Sequence, residues 1–576
     1  MNTVTNKSQA KAKDSTNHSP QDFNQYYVNV ADTILNAHYK NQLNYVVPPE
    51  LELFCETNRR GDSLTIPPMA VHEVGAYINK LKNKRSMGPD NISIYFLKLS
   101  LPYIVECLTF IFNMCIQQCS FPSKLKEAKV IPIPKIKNPA NLQDFRPISL
   151  LPVLSKPLEK HIHKHLTDFI EDHNLFYKYQ SGFRKHHSCQ TALTAMCDEW
   201  KEAVNKTLVT GAVFLDLKKA FDLIDHNILI KKFDCYFRSL NVSSFVKSYL
   251  ENRNQCVHIN GQSSEMVTIR SGVPQGSILG PLFFCLFIND LPLILNDNVN
   301  CDMFADDNSL HSSDKTINQV QNSLQQGLNE VEDWCLKNRV IINPEKTKSM
   351  VVTTRQKHQR QKLKLNLTIQ STVIEQVREH KVLGIILDEE MKWQSHINHI
   401  NKILSRNLFL LSQLKPYVDT DARLTFFYAH CLSHINYASN VWCGASANHI
   451  KHLNSLHRRA AKLILSDPSL TTEEKQQELG ILPLDKQFLY NTAILMQKVR
   501  LNKTPTYLND LVTPSSDRYG SDKYILPLPR VDLYKTSFSF SGPSIWNSLP
   551  PHATRCSNMN SFKIQIRKYF LETANN

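Results

Sequence analysis

Cys301-Asp302-Met303-Phe304-Ala305-Asp306-Asp307-Asn308-Ser309-Leu310-His311 sets two adjacent aspartates between two short apolar runs. The pattern predicts a strand–turn–strand hairpin with carboxylates at its tip. Upstream, Thr210-Gly211-Ala212-Val213-Phe214-Leu215-Asp216 closes an apolar run on a third aspartate. Three carboxylates at the ends of adjacent strands are what a site for two divalent metals requires. Such a pair clamps the attacking and leaving oxygens of a phosphoryl displacement. Aspartate and asparagine are also ordinary turn formers, so Asp-Asp alone carries little weight. The remainder of the chain supplies the rest of the argument.

At 576 residues the chain exceeds one ordinary core, and several domains are expected. A hydrophobic share of 42% suffices for a folded protein, and the formal net charge of +15 points to a polyanionic partner. The fourteen cysteines are scattered, with no Cys-x-x-Cys pair, so neither a zinc ribbon nor a zinc knuckle is indicated. Reduced thiols in an intracellular protein are the simplest reading. The first 25 residues are polar and lack the apolar core of a signal peptide. Pro281 to Ile288, taken as the longest apolar stretch, is too short to span a bilayer, so no membrane partner is expected.

Residues 1–25 are rich in Ser, Asn, Lys and Gln, a composition that predicts disorder. Helical patterning runs from Met69 to Ile78, breaks at Ser86-Met87-Gly88-Pro89-Asp90, and resumes from Leu97 to Gln118. Lys129-Val130-Ile131-Pro132-Ile133-Pro134-Lys135 reads as a strand confined by its prolines to a sheet edge. Ile317, Val320, Leu324, Leu328 and Val331 recur at helical spacing, with Asn343-Pro344 expected to break that helix and a strand expected over Ser349–Val352. The basic run from Arg355 to Lys364 reads as a solvated loop or hairpin tip. Helical patterning prevails from about 391 to 510, and a last helix is expected near 560–572. Past Trp393, the core-facing helix stripe is Ile397, Ile400, Leu404, Leu408 and Leu411, with Lys402 and Arg406 off it.

Taken together the motifs resemble the reverse transcriptase of non-LTR (LINE-type) retrotransposons, nearest to the jockey-like branch. Phe304-Ala305-Asp306-Asp307 matches that family's catalytic hairpin, and Phe214-Leu215-Asp216-Leu217-Lys218-Lys219-Ala220-Phe221-Asp222 its first catalytic strand. Ser271-Gly272-Val273-Pro274-Gln275-Gly276-Ser277 matches the loop under the incoming nucleotide, and Asp144-Phe145-Arg146-Pro147-Ile148-Ser149 the fingers. Met87-Gly88-Pro89-Asp90, Ser181-Gly182-Phe183-Arg184 and Val382-Leu383-Gly384-Ile385, the last resembling a primer grip, complete the set in family order over roughly residues 85–400. Phe538 to Pro550 resembles the end of related jockey-like frames.

The resemblance implies an α+β right-hand polymerase of fingers, palm and thumb, with an antiparallel palm sheet and a mostly helical C-terminal region. It implies a disordered polar leader over 1–40, an N-terminal extension over 41–125, fingers and palm over 126–390, a thumb over 391–470, and a further region over 471–576. Asp216, Asp306 and Asp307, with the backbone of Leu217, would hold two Mg²⁺ ions, for which Mn²⁺ is a substitute; hard oxygen ligands suit both. Phe221, five residues beyond Asp216, stands where the family has its steric gate against the ribose 2′-hydroxyl. Gln275 and Gly276 stand at the nucleotide and template, and glycine permits close backbone approach. Arg146 and Lys135 resemble the residues that hold the triphosphate. Lys346 resembles the lysine that protonates the leaving pyrophosphate, with Lys348 as a competitor. Asp222 and Asp225 read as turn or helix-cap residues.

The implied substrates are dNTPs, an RNA template and a DNA primer, and the implied setting is a ribonucleoprotein in the nucleus, the cytoplasm or both; the oligomeric state is open. His161 and His165 at i,i+4 are read as part of a nucleic-acid-facing helix, since no acidic or cysteine partner accompanies them and lysines flank them; the run Arg184-Lys185-His186-His187-Ser188-Cys189 is read as a basic loop beside the template. About eighty residues precede the Gly-Pro-Asp loop, too few for the endonuclease usual upstream in such elements. Either a copy truncated at its 5′ end or a sequence that begins within a longer reading frame is therefore expected, and no ribonuclease H set of carboxylates is expected downstream. The alternative is a catalytically idle RNA- or DNA-binding remnant, which would not need three intact aspartates. A metal nuclease would leave Arg146 and Gln275 without purpose.

Overall fold

The computed structural model describes residues 18–38, 45–84, 86–515 and 523–573. Its strands, in chain order, are β1 (Glu127–Pro134), β2 (Phe145–Leu150), β3 (Val209–Leu215), β4 (Arg253–Ile259), β5 (Gln262–Ser263), β6 (Val267–Ile269), β7 (Asn300–Phe304), β8 (Asp307–Asp314), β9 (Lys348–Val352), β10 (Thr368–Ile369), β11 (Thr372–Val373), β12 (Glu375–Gln376), β13 (Glu379–Val382) and β14 (Ile385–Asp388). The chain forms two units. One comprises the described residues within 18–183, 216–295 and 329–343, the other those within 184–215, 296–328 and 344–573. Helices and mixed sheets give an α+β architecture.

In the first unit the sheet order is β2-β1-β4-β5, with β6 also on β4. β1 pairs antiparallel with β2, Ile133 opposite Arg146, and parallel with β4 from Glu127 to Val130. β1 is thus an internal strand, not the edge strand its prolines suggest. Pro132 and Pro134 lie beyond Val130, where the β4 ladder has ended, so their missing N–H groups leave that ladder intact.

The expectation of a disordered leader over 1–40 is corrected by a helix at Pro20–His38; residues 1–17 and 39–40 lie outside the described residues. Ser19 and Asp22 cap it reciprocally: the Asp22 amide donates to Ser19 Oγ at 3.2 Å and the Ser19 amide to Asp22 Oδ2 at 2.7 Å. Pro20 takes the first helical position, where no N–H is needed. Buried Phe23 anchors the helix edge-on against Phe145, centroids 5.0 Å apart, within a cluster with Val130 and Val257.

The helix Ile94–Gln117 begins where Ser93 accepts from the Phe96 amide. It is long and apolar enough, by length and composition, to cross a membrane. Counting only uninterrupted apolar residues overlooked it. One face is packed: Ile94, Leu97, Leu101 and Phe112 are buried, and Asn113 exchanges two hydrogen bonds with the Met69 backbone. In the loop before it, a Cβ on Gly88 would lie 2.8 Å from the Leu151 carbonyl carbon. Glycine is required there by close packing.

The second unit holds a sheet of order β12-β9-β3-β8-β7. β3 pairs antiparallel with β8 from Val209–Asp314 to Leu215–Asn308, and with β9 on its other side. Every residue of β3 is buried, which explains its continuous apolar run. Val320 and Leu324 press so closely on this strand that a Cβ on Gly211 would lie 2.6 Å from the Val320 side chain. Their helix, Ile317–Asn338, ends at Asn338 because Arg339 turns left-handed (φ +58°), ahead of the Asn343-Pro344 break expected from sequence. The basic run is also corrected: Arg355–Gln361 is a short helix capped by Thr354. β13 and β14 form a hairpin whose two turn residues, Leu383 and Gly384, both have positive φ, matching the right-handed strand twist.

Farther on, Gln394–Leu414 buries Ile397, Ile400, Leu404, Leu408 and Leu411 together with Trp442, Leu453 and Leu456. At about 1.5–3 kcal/mol for each buried large side chain, the stripe is a main stabiliser of this unit. The tail is part of the same core. Trp546 is buried in the helix Phe538–Ser548, the Ser539 amide donates to buried Asp198, and Lys201 Nζ donates to the carbonyl of Thr536. The last helix is Met559–Glu572.

Candidate active site

Phe304 pairs with Asp307 across a two-residue turn, Ala305-Asp306. Both aspartates are exposed, at the hairpin tip expected from sequence. Ala305 has φ +57° and is buried, a conformation that usually calls for glycine in a turn of this kind. An alanine held there stores about 1 kcal/mol of backbone strain. β3 ends at Leu215, opposite Asn308. The next residue after Leu215 is Asp216, and the residue before Asn308 is Asp307.

Behind the hairpin tip, His311 is buried with its Nε2 3.1 Å from Asp302 Oδ2 and 3.8 Å from Glu199 Oε2. Burial would depress its pKa, but the two carboxylates outweigh burial and hold it above the ordinary 6.5. Nothing in the sequence joins Glu199 to this pair; the fold does.

In the first unit, Asp216 is held from both sides by one residue. The Asn343 amide N–H donates to the Asp216 carbonyl at 2.7 Å, and Asn343 Nδ2 donates to Asp216 Oδ2 at 3.0 Å. Leu217 bridges Ile342, and the Lys218 amide donates to the Ile341 carbonyl. Asn343 drew notice in the sequence only as a helix breaker, and its second-residue contact to a carboxylate was missed. Among the described residues no three His, Cys, Asp or Glu side chains are gathered as a metal-ligating group. The aspartates' hard oxygens fit Mg²⁺ by donor type.

A cleft in the first unit is lined by Tyr27, Pro147, Ser149, Asp222, Arg253 and Gln275, among others. Gln275 Nε2 donates to Asp222 Oδ1 at 2.8 Å, and the Ser149 amide donates to the Gln275 carbonyl. Burial raises the Asp222 carboxyl above its usual range, against the lowering pull of Lys219 and Gln275. The reading of Asp222 as a turn or cap residue is therefore corrected: it is the acceptor that fixes Gln275. Asp225 is a cap, its Oδ1 accepting from the Asn227 and Ile228 amides. Gly276 has φ +131°, and a Cβ there would lie 2.5 Å from the Ser149 carbonyl oxygen. Phe221 is half-buried and stacks on Phe284, centroids 4.3 Å apart at 21°.

Arg146 is exposed on β2, and Lys135, just past β1, donates from Nζ to the Gln143 carbonyl. The β1–β2 pairing sets them at one end of one hairpin. In the second unit, Lys346 is exposed in the turn before β9. Lys348, its competitor, is tied to Glu375 at 2.7 Å and to the Glu345 carbonyl.

Residues 133–387 match the family described as reverse transcriptase (RNA-dependent DNA polymerase). They form a reverse transcriptase domain. Relatives of this stretch include RNA-directed DNA polymerases from transposons and mobile elements. Over 76% of the chain it is 29% identical to a probable RNA-directed DNA polymerase from transposon BS of Drosophila melanogaster, covering 49% of that protein. It is 28% identical to the RNA-directed DNA polymerases from mobile element jockey of Drosophila funebris and Drosophila melanogaster, over 70% and 77% of the chain and 45% and 49% of those proteins. The chain spans about half the length of the curated relatives it matches.

Proposed function

We propose that the chain is an RNA-directed DNA polymerase that adds dNTPs to a primer 3′-hydroxyl on an RNA template. The support is the family match, since every residue assigned a role here, from Lys135 to Lys346, falls within residues 133–387. In this reading the polymerase is a right hand, with fingers and palm over 126–390 and a thumb over 391–470.

Asp216, Asp306, Asp307 and the backbone of Leu217 would hold two Mg²⁺ ions. When bound, these would neutralise charge on the transferring phosphoryl group and activate the primer hydroxyl. The protein's own residues do the positioning. Arg146 offers a planar fork to triphosphate oxygens and Lys135 a point charge. Gly276 lets the backbone come close to the nucleotide, and Gln275, fixed by Asp222, presents its amide in one orientation. Phe221, supported on one face by Phe284, closes the space a 2′-hydroxyl would need. Lys346 is the exposed proton donor for pyrophosphate, Lys348 being engaged elsewhere.

Primer extension on an RNA template with dNTPs and Mg²⁺ tests the reading. Template-dependent extension that is lost in Asp307→Ala is expected. Tight RNA binding without any extension, in Mg²⁺ and in Mn²⁺, would instead establish an idle binding remnant.

A further inference from the structure

The helix Ile94–Gln117 leaves one face uncovered. Tyr95, Phe96, Leu99, Tyr103, Phe110 and Ile111 are each between 49% and 87% exposed. At 100° per residue they fall within one half of the helix circumference, so they form a stripe rather than scattered contacts, interrupted by the exposed carboxylate of Glu106 between Tyr103 and Phe110. At roughly 200 Å² for a whole aromatic side chain, and somewhat less for leucine or isoleucine, the six present about 700 Å² of apolar surface. The largest apolar patch on a typical monomer is about 300–600 Å². The stripe exceeds that range, and the proposed catalysis makes no use of it.

We infer that this stripe is a homodimer interface, occupied by the same face of a second copy of the chain. Two observations select that partner. The first is area. Two copies meeting face to face would bury up to about 1,400 Å² of apolar surface, an upper bound that reaches into the about 1,200–2,000 Å² of stable specific interfaces.

The second is charge. The chain carries +15 overall, so two copies repel across most of their surface. Within Ile94–Gln117 the charged residues are Lys98 and Glu106 alone. Lys98 is turned onto its own unit, its Nζ donating to the Leu81 carbonyl at 2.6 Å. Along the stripe itself, then, two copies bring no cations together; the exposed Lys80 and Lys82 beside Leu81 lie at its margin, and Glu106 is the charge on the stripe. The absence of Lys and Arg from the stripe itself disfavours nucleic acid as its occupant, since phosphates need Lys or Arg. Tyr103 lies at the midpoint of the stripe. An antiparallel two-fold pairing of identical patches puts the two Tyr103 side chains beside the axis.

The test is sedimentation velocity of the full chain, freed of nucleic acid by nuclease, over a micromolar concentration series. The parent is expected to dimerise with increasing concentration. Tyr103→Asp is expected to weaken the dimer at least about tenfold, as removal of a central aromatic anchor does. Tyr103 is solvent-exposed, so the variant should keep the parent Tm, and Tyr103→Lys serves as a second disruptor. In a Cys107→Ser background, Tyr103→Cys is expected to give an intermolecular disulfide on mild oxidation that Cys107→Ser alone does not.

A parent that stays monomeric throughout would overturn the inference. So would a dimer indifferent to Tyr103→Asp and to cross-linking at 103. A monomer that floats with neutral phosphatidylcholine vesicles would assign the stripe to lipid. A monomer whose RNA affinity falls in Tyr103→Asp would assign it to nucleic acid. Each of these also overturns the dimer.

Discussion

The side-chain amide of Gln275 donates to the carboxylate of Asp222 at 2.8 Å. The bond joins the loop 271–277 to the turn after Phe221, and it fixes which end of the Gln275 amide faces the cleft. Asp222 is held at a pKa above its ordinary value, chiefly by burial. For a carboxyl whose native pKa is raised, the stability it contributes is complete below 3.8 and is lost as pH rises through the native value. At pH 7 the parent therefore bears the cost of a buried charge.

Asp222→Asn removes that cost while its side-chain oxygen still accepts from Gln275. We expect the variant to resist urea better than the parent at pH 7, with the gap closing toward pH 4. Activity should move the other way. Exchanging a charge-assisted acceptor for a neutral one weakens the hold on Gln275 by about 1 kcal/mol and should raise the KM for dNTP about fivefold. Paired urea titrations and steady-state extension kinetics check both halves; a variant no more stable at pH 7 than its parent would refute the linkage.

Replacing Asp306 or Asp307 with Ala should lower incorporation on the order of 10³-fold or more, because the metals' stabilisation of the transferring phosphoryl group goes with their ligands. RNA binding should persist, since it draws on many dispersed Lys and Arg contacts. Both aspartates are exposed, so Tm should hardly move. Filter binding and extension on the same preparations separate the two effects, and variants that extend primers like the parent would remove these aspartates from catalysis.

The hairpin around Asp306 and Asp307 was legible because period-two apolar runs flank a turn, a purely local signal. So was the helix Ile317–Asn338, whose stripe repeats every three to four residues. Partnerships were not legible. β1 became internal because β4, more than a hundred residues later, pairs with its first half and stops short of the prolines. The helix Pro20–His38 was hidden by polar composition, although Ser19 and Asp22 form a capping box that could have flagged it. Asp222 and Asn343 read as turn and breaker residues until the fold gave each a partner, and Glu199 drew no notice at all.

Ala305 offers a test of stored strain. Ala305→Gly should stabilise the protein by up to about 0.5 kcal/mol, the relief at φ +57° less the added freedom of the unfolded chain. Ala305→Val should destabilise, as a β-branched residue is worse still in that region. Urea midpoints measured at constant m-value decide, and a destabilised Ala305→Gly would show that the turn carries no strain.

Phe221→Val should relax sugar discrimination. The smaller side chain opens the space against which a ribose 2′-hydroxyl would collide, so the ratio of kcat/KM for ribonucleotide over deoxyribonucleotide should rise. Loss of the stack on Phe284 should also cost about 1–3 kcal/mol of stability. If Phe221 were only a core residue, both activities would fall together. An unchanged ratio in a protein that still folds would withdraw the gate assignment.

His311 should make stability depend on pH above neutrality. It is buried, yet Glu199 and Asp302 keep its pKa above 6.5. For a histidine with a raised native pKa, the stability it contributes is fully present below 6.5 and is lost as pH rises through the native value. The parent should therefore weaken from 6.5 upward, and His311→Gln should show a flatter profile over the same range. At pH 6 the variant should be less stable by about 1–3 kcal/mol, less than for a wholly buried pair because the Glu199 side chain is 38% exposed. The histidine also underlies the strands that carry Asp306 and Asp307, so its neutral form should loosen the hairpin before the whole unit unfolds. Hydrogen exchange at the amides of Met303 and Leu310 measures that directly. Protection that does not change between pH 6 and pH 8.5, roughly a span of the ordinary histidine titration, would show that the buried pair does not govern the hairpin.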